Sequence, residues 1–477
     1  MKPCKPVRTF SEGNKPILSP GQNPGPGFLP GRTGNLPGVI KILIVSLLLS
    51  YGAKSEAGQV VSDSAWTLEK CIAYALSNNI QVKKAGVTIR ISEATASQVK
   101  SSRYPSLNAG VNQSYAWNNQ QVTITSGNLV GYAGTNISVN SNLTLFNGFK
   151  INGQVKQSKV SLEAAKYDAE TTRESIILNI LNAYLQVLYA EEQVRNSRKQ
   201  VELTEQQLEL SSERLNLGAS SRSDYLQVKS QLASEKQTFA TSESSLAMDR
   251  ITLIQLMELP ADTSLLVYHP VLDPRSLLSI HPKADSVYKI ALTVKPQVKS
   301  AAFNKESAKL NVKIAKADYY PSLSLSAGLG MNFAASGQQQ VSFDDQISPT
   351  VGISLNIPIY QNYKVKSSVS IARLNTTNAE LDETNIRNQL RKSIEQGAQD
   401  VVSYCREYES SLEQYDAAYE SYLVADEKFR QGLISSVDFL VQKTNLIIAE
   451  GTLLQSKYKL IFSRKILDFY SGIPITI

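Results

Sequence analysis

A chain of 477 residues with 42% hydrophobic content and a mean hydropathy of −0.19 is long enough for two ordinary domains, but too polar for a bundle of membrane-spanning helices. Its net charge of +7 lies mostly at the N-terminus, where residues 1–57 hold seven Lys/Arg against two acids. The remainder carries +2, which gives no support to nucleic-acid binding.

Residues 1–38 are rich in Pro and Gly and read as disordered. The apolar run Ile42–Leu49 is too short to span a bilayer, which takes roughly 20 residues. It follows Lys41 and precedes Ser55-Glu56-Ala57, the small-residue spacing of a signal-peptidase site. We read residues 1–57 as a leader with a signal peptide, the mature chain starting at about residue 58; a true start near Val39 fits equally well. Cys4 leaves with the leader. Cys71 and Cys405 each fall in an amphipathic helical pattern and read as packed thiols rather than a disulfide framework. No cysteine directly follows the apolar run, so an N-terminal lipid anchor has no support.

The remainder is a duplication. Tyr104-Pro105-Ser106-Leu107 returns as Tyr320-Pro321-Ser322-Leu323, and Gly218 with Asp224-Tyr225-Leu226 returns as Gly432 with Asp438-Phe439-Leu440. The copies span 62–260 and 284–477, joined by a Pro-punctuated linker, 261–283. Each copy reads helix, two strands, long helix, turn, helix. The first helices are predicted over Leu68–Arg103 and Ser286–Tyr319, ended by Pro105 and Pro321. The long helices are predicted over Lys150–Leu217 and Lys364–Arg430, ended by Gly218 and Gly432. The final helices run over Asp224–Glu258 and Val437–Tyr470.

Seven-residue repeats mark these helices as coiled-coil elements. Tyr225, Leu232, Phe239, Leu246 and Leu253 form one series, and Phe439, Leu446, Leu453, Leu460 and Leu467 its counterpart. The first long helix carries two, Val194-Val201-Leu208-Leu215 and Leu203-Leu210-Leu217, as expected of a helix with neighbours on both sides. At 1.5 Å per residue a helix of about 68 residues is roughly 100 Å long, and the two shorter helices of a copy, end to end, nearly match it.

Four segments alternate with period two, at about 105–117, 135–146, 321–333 and 349–360. Leu107, Val111, Tyr115 and Trp117 share a face opposite Asn108, Gly110, Asn112 and Ser114. Val351, Ile353, Leu355, Ile357 and Ile359 alternate with Thr350, Gly352, Ser354 and Asn356. One face apolar and the other small, polar and uncharged is the pattern of a transmembrane β-barrel. Tyr104, Phe146, Tyr320 and Tyr360 at one end, and Tyr115, Trp117 and Phe333 at the other, suggest two interfacial girdles. A soluble sandwich is the competing reading. Four strands cannot close a barrel, and an open edge cannot stand in lipid, so subunits must share one. Strand counting permits dimers, trimers or tetramers.

With the duplicated Tyr-Pro-Ser-Leu junction and the paired turns Arg214-x-x-x-Gly218-x-x-Ser221-x-x-Asp224 and Phe429-Arg430-x-Gly432-x-x-Ser435-x-x-Asp438, the chain resembles the TolC family of outer-membrane channels over residues 62–477. The resemblance implies a trimer in which a long α-helical coiled-coil barrel of 12 helices continues into a 12-stranded transmembrane β-barrel. It implies an exit duct across periplasm and outer membrane for an efflux pump or type I secretion system, with no cofactor. Its partners would be a periplasmic adaptor and, through it, an inner-membrane pump. The adaptor-docking tip would comprise Leu217, Gly218, Ala219 and Ser220 with Gln431, Gly432, Leu433, Ile434 and Ser435. The pore constriction would be set by Asp438 and Asp224. The family's second tip aspartate corresponds to Val441 here, and a locking arginine to Ile434, so the gate departs from the family pattern. Both aspartates also read as capping-box residues, three after Ser221 and Ser435.

An enzyme finds little in this chain: His269 and His281 lie in the linker, in no metal-ligand motif, and no nucleophile elbow or P-loop appears. A periplasmic coiled-coil adaptor would have one helical hairpin and a soluble β domain. Two hairpins, each carrying a strand pair, favour the channel.

Overall fold

Two helices of 67 residues, each about 100 Å long, set the dimensions of the fold. The computed structural model describes residues 65–118, 130–260, 263, 265–270, 283–336 and 347–475; the leader and most of the linker, His281 included, lie outside this set. The elements in order are α1 (Leu68–Asn78), α2 (Ile80–Ser101), β1 (Ser106–Asn118), β2 (Val130–Asn147), α3 (Lys150–Asn216) and α4 (Arg222–Met257). The second half follows with α5 (Ala284–Val294), α6 (Pro296–Ala317), β3 (Ser322–Ser336), β4 (Ile347–Asn356), α7 (Lys364–Arg430) and α8 (Ser436–Tyr470).

The helix predicted to open each copy is two helices. In the first copy the chain breaks at Asn79, whose side chain accepts from the Gln81 N–H at 2.8 Å and donates to the Leu256 carbonyl at 2.8 Å. In the second copy the break falls at Lys295, held extended because Pro296 opens α6. Beside the first break, Leu68, Cys71, Ile180, Tyr184, Leu188, Leu253 and Met257 form the largest buried cluster. Tyr184 donates to the Tyr268 carbonyl there at 2.7 Å, tying the start of the linker to α3. Burial pushes the Cys71 thiol up to about 12, and Cys405 is likewise buried and raised. Both are packing residues.

The helices pack alongside the two long ones, and α4 also touches α8 where the two copies meet. Near the sheet, neighbours run α2–α3–α6–α7; toward the far end they run α4–α3–α8–α7. The long helices continue through both halves while shorter ones replace each other along them. Both outer faces near the sheet keep apolar side chains exposed, Val87 and Ile91 on α2, and Ile371, Leu374 and Leu381 on α7.

The four strands form one antiparallel sheet in the order β1-β2-β3-β4, leaving β1 and β4 as edges. Register carries the alternation unbroken across the sheet. Val111, Ile137, Met331 and Ile347 make one apolar row, while Asn108, Asn140, Gly328 and Thr350 make a polar one. The apolar face is uncovered: Leu107 is 75% exposed and Val351 80%. Two details differ from expectation. Leu145 is the extra residue of a bulge, so Phe146 rather than Leu145 pairs with Leu323. β4 ends at Asn356, short of Ile357, Ile359 and Tyr360, because its partner β3 begins at Ser322, just after Pro321, and leaves those residues nothing to pair with. Of the outer aromatics, Tyr115 is exposed; the side chains of Trp117 and Phe333 lie outside the described set. Among the described residues no helix is long and apolar enough to cross a membrane.

Candidate functional site

The two interhelical turns at the end of the wall away from the sheet are built alike. After α3, Gly218 takes φ +73°, its N–H donating to Leu215 at 3.0 Å and that of Ala219 to Arg214 at 2.8 Å. After α7, Gly432 takes φ +75°, with Gly432 donating to Phe429 at 3.0 Å and Leu433 to Lys428 at 2.8 Å. These paired bonds close a helix through a left-handed glycine. A Cβ at either glycine meets no atom within 4 Å, so backbone conformation alone asks for glycine. Ser221 and Ser435 then cap α4 and α8, accepting from the N–H of Asp224 and of Asp438, each at 3.1 Å.

The predicted tip residues are brought together, but they differ in freedom. Leu217, Ala219 and Leu433 are exposed, and Ser220 is half-buried. Gln431 donates to Glu427 at 2.6 Å. Ile434 packs against the buried cluster of Tyr422, Ala425, Phe429 and Phe439. Asp224 completes a capping box with Ser221 and also accepts from Ser436 of the second copy at 2.6 Å. The Ser436 bond, followed by those from Ser221, holds its carboxyl below the usual carboxylate range. Asp438 is exposed and accepts from Ser435 at 2.8 Å. The first aspartate thus ties the two copies together, and the second faces solvent.

Arg214 belongs to the first turn motif, which does not reveal its role. Its guanidinium donates to the carbonyls of Phe429, at 2.7 Å, and Arg430, at 2.5 Å, and lies 5.2 Å from the Phe429 ring. A cation on the open carbonyls of α7 is favoured by the helix dipole as well as by the bonds. Phe429 stacks in turn on Phe439, ring centres 4.7 Å apart.

Deeper along the wall lies a buried ion pair that sequence reasoning did not find. Lys443 of α8 is 3% exposed and Glu235 of α4 is 6% exposed; they meet at 3.0 Å. The Thr204 hydroxyl of α3 lies against both, and Gln231 donates to Glu235 at 2.8 Å. Burial draws the Lys443 pKa down while Glu235 opposes that shift. The available signal was position: Lys443 sits four residues after Phe439 and Glu235 three after Leu232, on the helical seams.

The family model described as outer membrane efflux protein matches residues 71–258 and 287–472, one segment in each copy. No curated protein matches the chain. Among solved structures, that of CusC, described for its transmembrane channel formation, is 17% identical with a TM-score of 0.74, covering 87% of this chain and 96% of its own. The Campylobacter jejuni CmeC outer membrane channel is 19% identical with a TM-score of 0.71, covering 85% of each chain. The open Neisseria gonorrhoeae MtrE outer membrane channel is 17% identical with a TM-score of 0.68, covering 85% of this chain and 88% of its own.

Proposed function

The chain belongs to the outer membrane efflux protein family, and from that footing we propose that three copies form one passive exit duct across the outer membrane and periplasm. The observation that carries this reading is the sheet. It has an uncovered apolar face, a polar uncharged face, and two unpaired edges, β1 and β4, standing above helical edges that are themselves apolar. Pairing β4 of one copy with β1 of the next removes every edge, as lipid requires. The same step lays the Ile371 and Leu374 face of α7 against the Val87 and Ile91 face of α2. Three copies give a 12-stranded barrel over a 12-helix wall. Crosslinking the protein in mild detergent is expected to stop at three subunits; a folded monomer, or a soluble product, overturns the architecture.

The turns at Gly218 and Gly432 serve, in this reading, as the dock for a periplasmic adaptor that links the duct to an inner-membrane pump. Each trimer presents the turn six times, with Leu217 (83% exposed) and Leu433 as apolar contacts. Asp438 rings the mouth as the pore-facing acid, and Asp224 braces it from behind. No step of this function calls for a cofactor or a catalytic group. Gly432→Glu tests the dock. Nothing sits within 4 Å of a Cβ there, so its cost is the left-handed backbone, about 1 kcal/mol, too little to unfold the trimer. Export is expected to be lost while trimer yield stays within about twofold of the natural chain. Normal export removes the docking role.

A further inference from the structure

We propose that the junction between sheet and helices carries a binding site for the phosphate head group of an anionic phospholipid in the periplasmic leaflet. The proposal rests on the barrel reading above and adds a ligand to it. A cavity of about 380 Å³ opens between the end of α6 and the start of α7, of a size ligand pockets have. Three cations line it, Lys316, Lys366 and Arg373, together with Tyr319, Tyr320 and the Ser370 hydroxyl.

The cations stand without acids. From Lys364 to Ala379 the chain contains no Asp or Glu. The acid nearest Lys316 in sequence, Asp318, is turned away to pair with Lys150 at 2.7 Å. Among the described residues no ion pair involves Lys316, Lys366 or Arg373. Three clustered cations with no counter-charge repel one another, and a bound anion relieves that repulsion.

The side of the wall on which the cavity opens follows from helical geometry. A second cavity at the same junction is lined by Lys364 and Ser368 with Asp318, Ser322 and Asn356. Ser322 and Asn356 are a facing pair on the polar side of the sheet. Lys366 and Ser370 are each two residues further along α7, about 200° around it. The three cations therefore lie on the side of the apolar sheet face, the side turned to lipid. Height agrees: Tyr319 and Tyr320 directly precede Pro321 and β3, and exposed Tyr360 and Tyr363 lie between β4 and α7. Exposed tyrosines at the foot of an apolar band mark the level of head groups, where basic side chains attract anionic lipids.

Native mass spectrometry of the detergent-solubilised oligomer, titrated with phosphatidylglycerol or with phosphatidylcholine of the same acyl chains, tests this. The tightest-bound phosphatidylglycerol is expected to weaken about a hundredfold in Lys316→Gln/Lys366→Gln/Arg373→Gln, each basic group near an anionic surface counting for roughly fivefold. A variant that keeps the charges, Lys316→Arg/Lys366→Arg/Arg373→Lys, is expected to retain it within about threefold, less than one such group is worth. So is Lys199→Gln/Lys229→Gln/Lys428→Gln, which removes three exposed lysines far from the junction. Equal retention by the junction triple variant and the natural chain overturns the site, as does equal binding of phosphatidylcholine. An excess of inorganic phosphate is expected to leave the lipid bound; displacement would assign the cavity to free phosphate and overturn the lipid. Membrane fractionation keeps the two readings apart. A natural chain absent from the outer membrane defeats the barrel itself, whereas one present there with unchanged lipid retention in the triple variant defeats this site alone.

Discussion

Arginine at Val351 is expected to abolish assembly of the membrane-inserted oligomer, whereas arginine at the adjacent Thr350 is expected to leave it standing. Val351 lies mid-strand on β4, paired with Ala327 on the apolar face and 80% exposed. Thr350 pairs with Gly328 in the polar row that continues through Asn140 to Asn108. A lipid-facing arginine near the midplane costs roughly 2–4 kcal/mol, and a barrel of several copies incurs it once per copy. A lumen-facing arginine stays in water. Depth adds a finer expectation. Leu355 shares the face of Val351 but sits one residue from the end of β4, at the level of the tyrosines. There the cost falls to about 0–1 kcal/mol, so Leu355→Arg should assemble in reduced but measurable yield. The yield of heat-modifiable oligomer in purified outer membranes orders the three variants. Equal loss at Val351 and Thr350 would show that the two faces are not lipid and lumen.

Why the sequence reads so clearly in some places and not in others has a physical cause in each case. The strands and long helices were legible because period-two and seven-residue patterns are imposed by backbone geometry, and because glycine and proline mark the ends. Gly218 and Gly432 are where left-handed caps are required. The helix breaks were harder. Pro296 announces one of them, but Asn79 breaks its helix through a long-range bond to Leu256 that no local pattern contains. The strand bulge at Leu145 is equally silent, since either register alternates.

The helical seam is legible only in part. On α3 the apolar series ending at Leu217 is exposed along its length, Leu203 and Leu210 included, and awaits a neighbour. The residues that α3 buries at seven-residue spacing in that stretch are Ser197, Thr204 and Ser211. Small polar side chains bonded to their own helix carbonyls let helices approach closely: Ser197 donates to Val194 at 3.1 Å and Thr204 to Gln200 at 2.8 Å. A search for apolar repeats passes over them. The tip was legible as a pair of turns, because its two copies share a motif. The unlike roles of Asp224 and Asp438 were not, because they depend on Ser436, which the motif does not include.

The same blindness hid the Lys443–Glu235 pair, and it yields the largest stability effect expected outside the membrane. Lys443→Met leaves the Glu235 carboxylate 6% exposed with Thr204 and Gln231 as its remaining neighbours. Removing one partner of a buried pair typically costs about 3–5 kcal/mol, because the other charge stays buried and uncompensated. Lys443→Met with Glu235→Leu removes both charges and restores apolar contact across α4 and α8. That double variant is expected to match or exceed the natural chain, since replacing a whole buried pair is often neutral or stabilising. The two residues belong to different copies of the repeat, so the loss in the single variant should be local to where the copies meet. Hydrogen exchange on the assembled oligomer is the measurement. Amides of α4 around Glu235 and of α8 around Lys443 should exchange faster in the single variant, while those of the sheet and of the cluster around Tyr184 should not. Recovery of slow exchange in the double variant separates charge burial from simple loss of packing. If single and double variants exchange equally fast, the loss is one of packing rather than of charge burial; if both exchange as slowly as the natural chain, water satisfies Glu235 and the seam is wetter than its burial indicates.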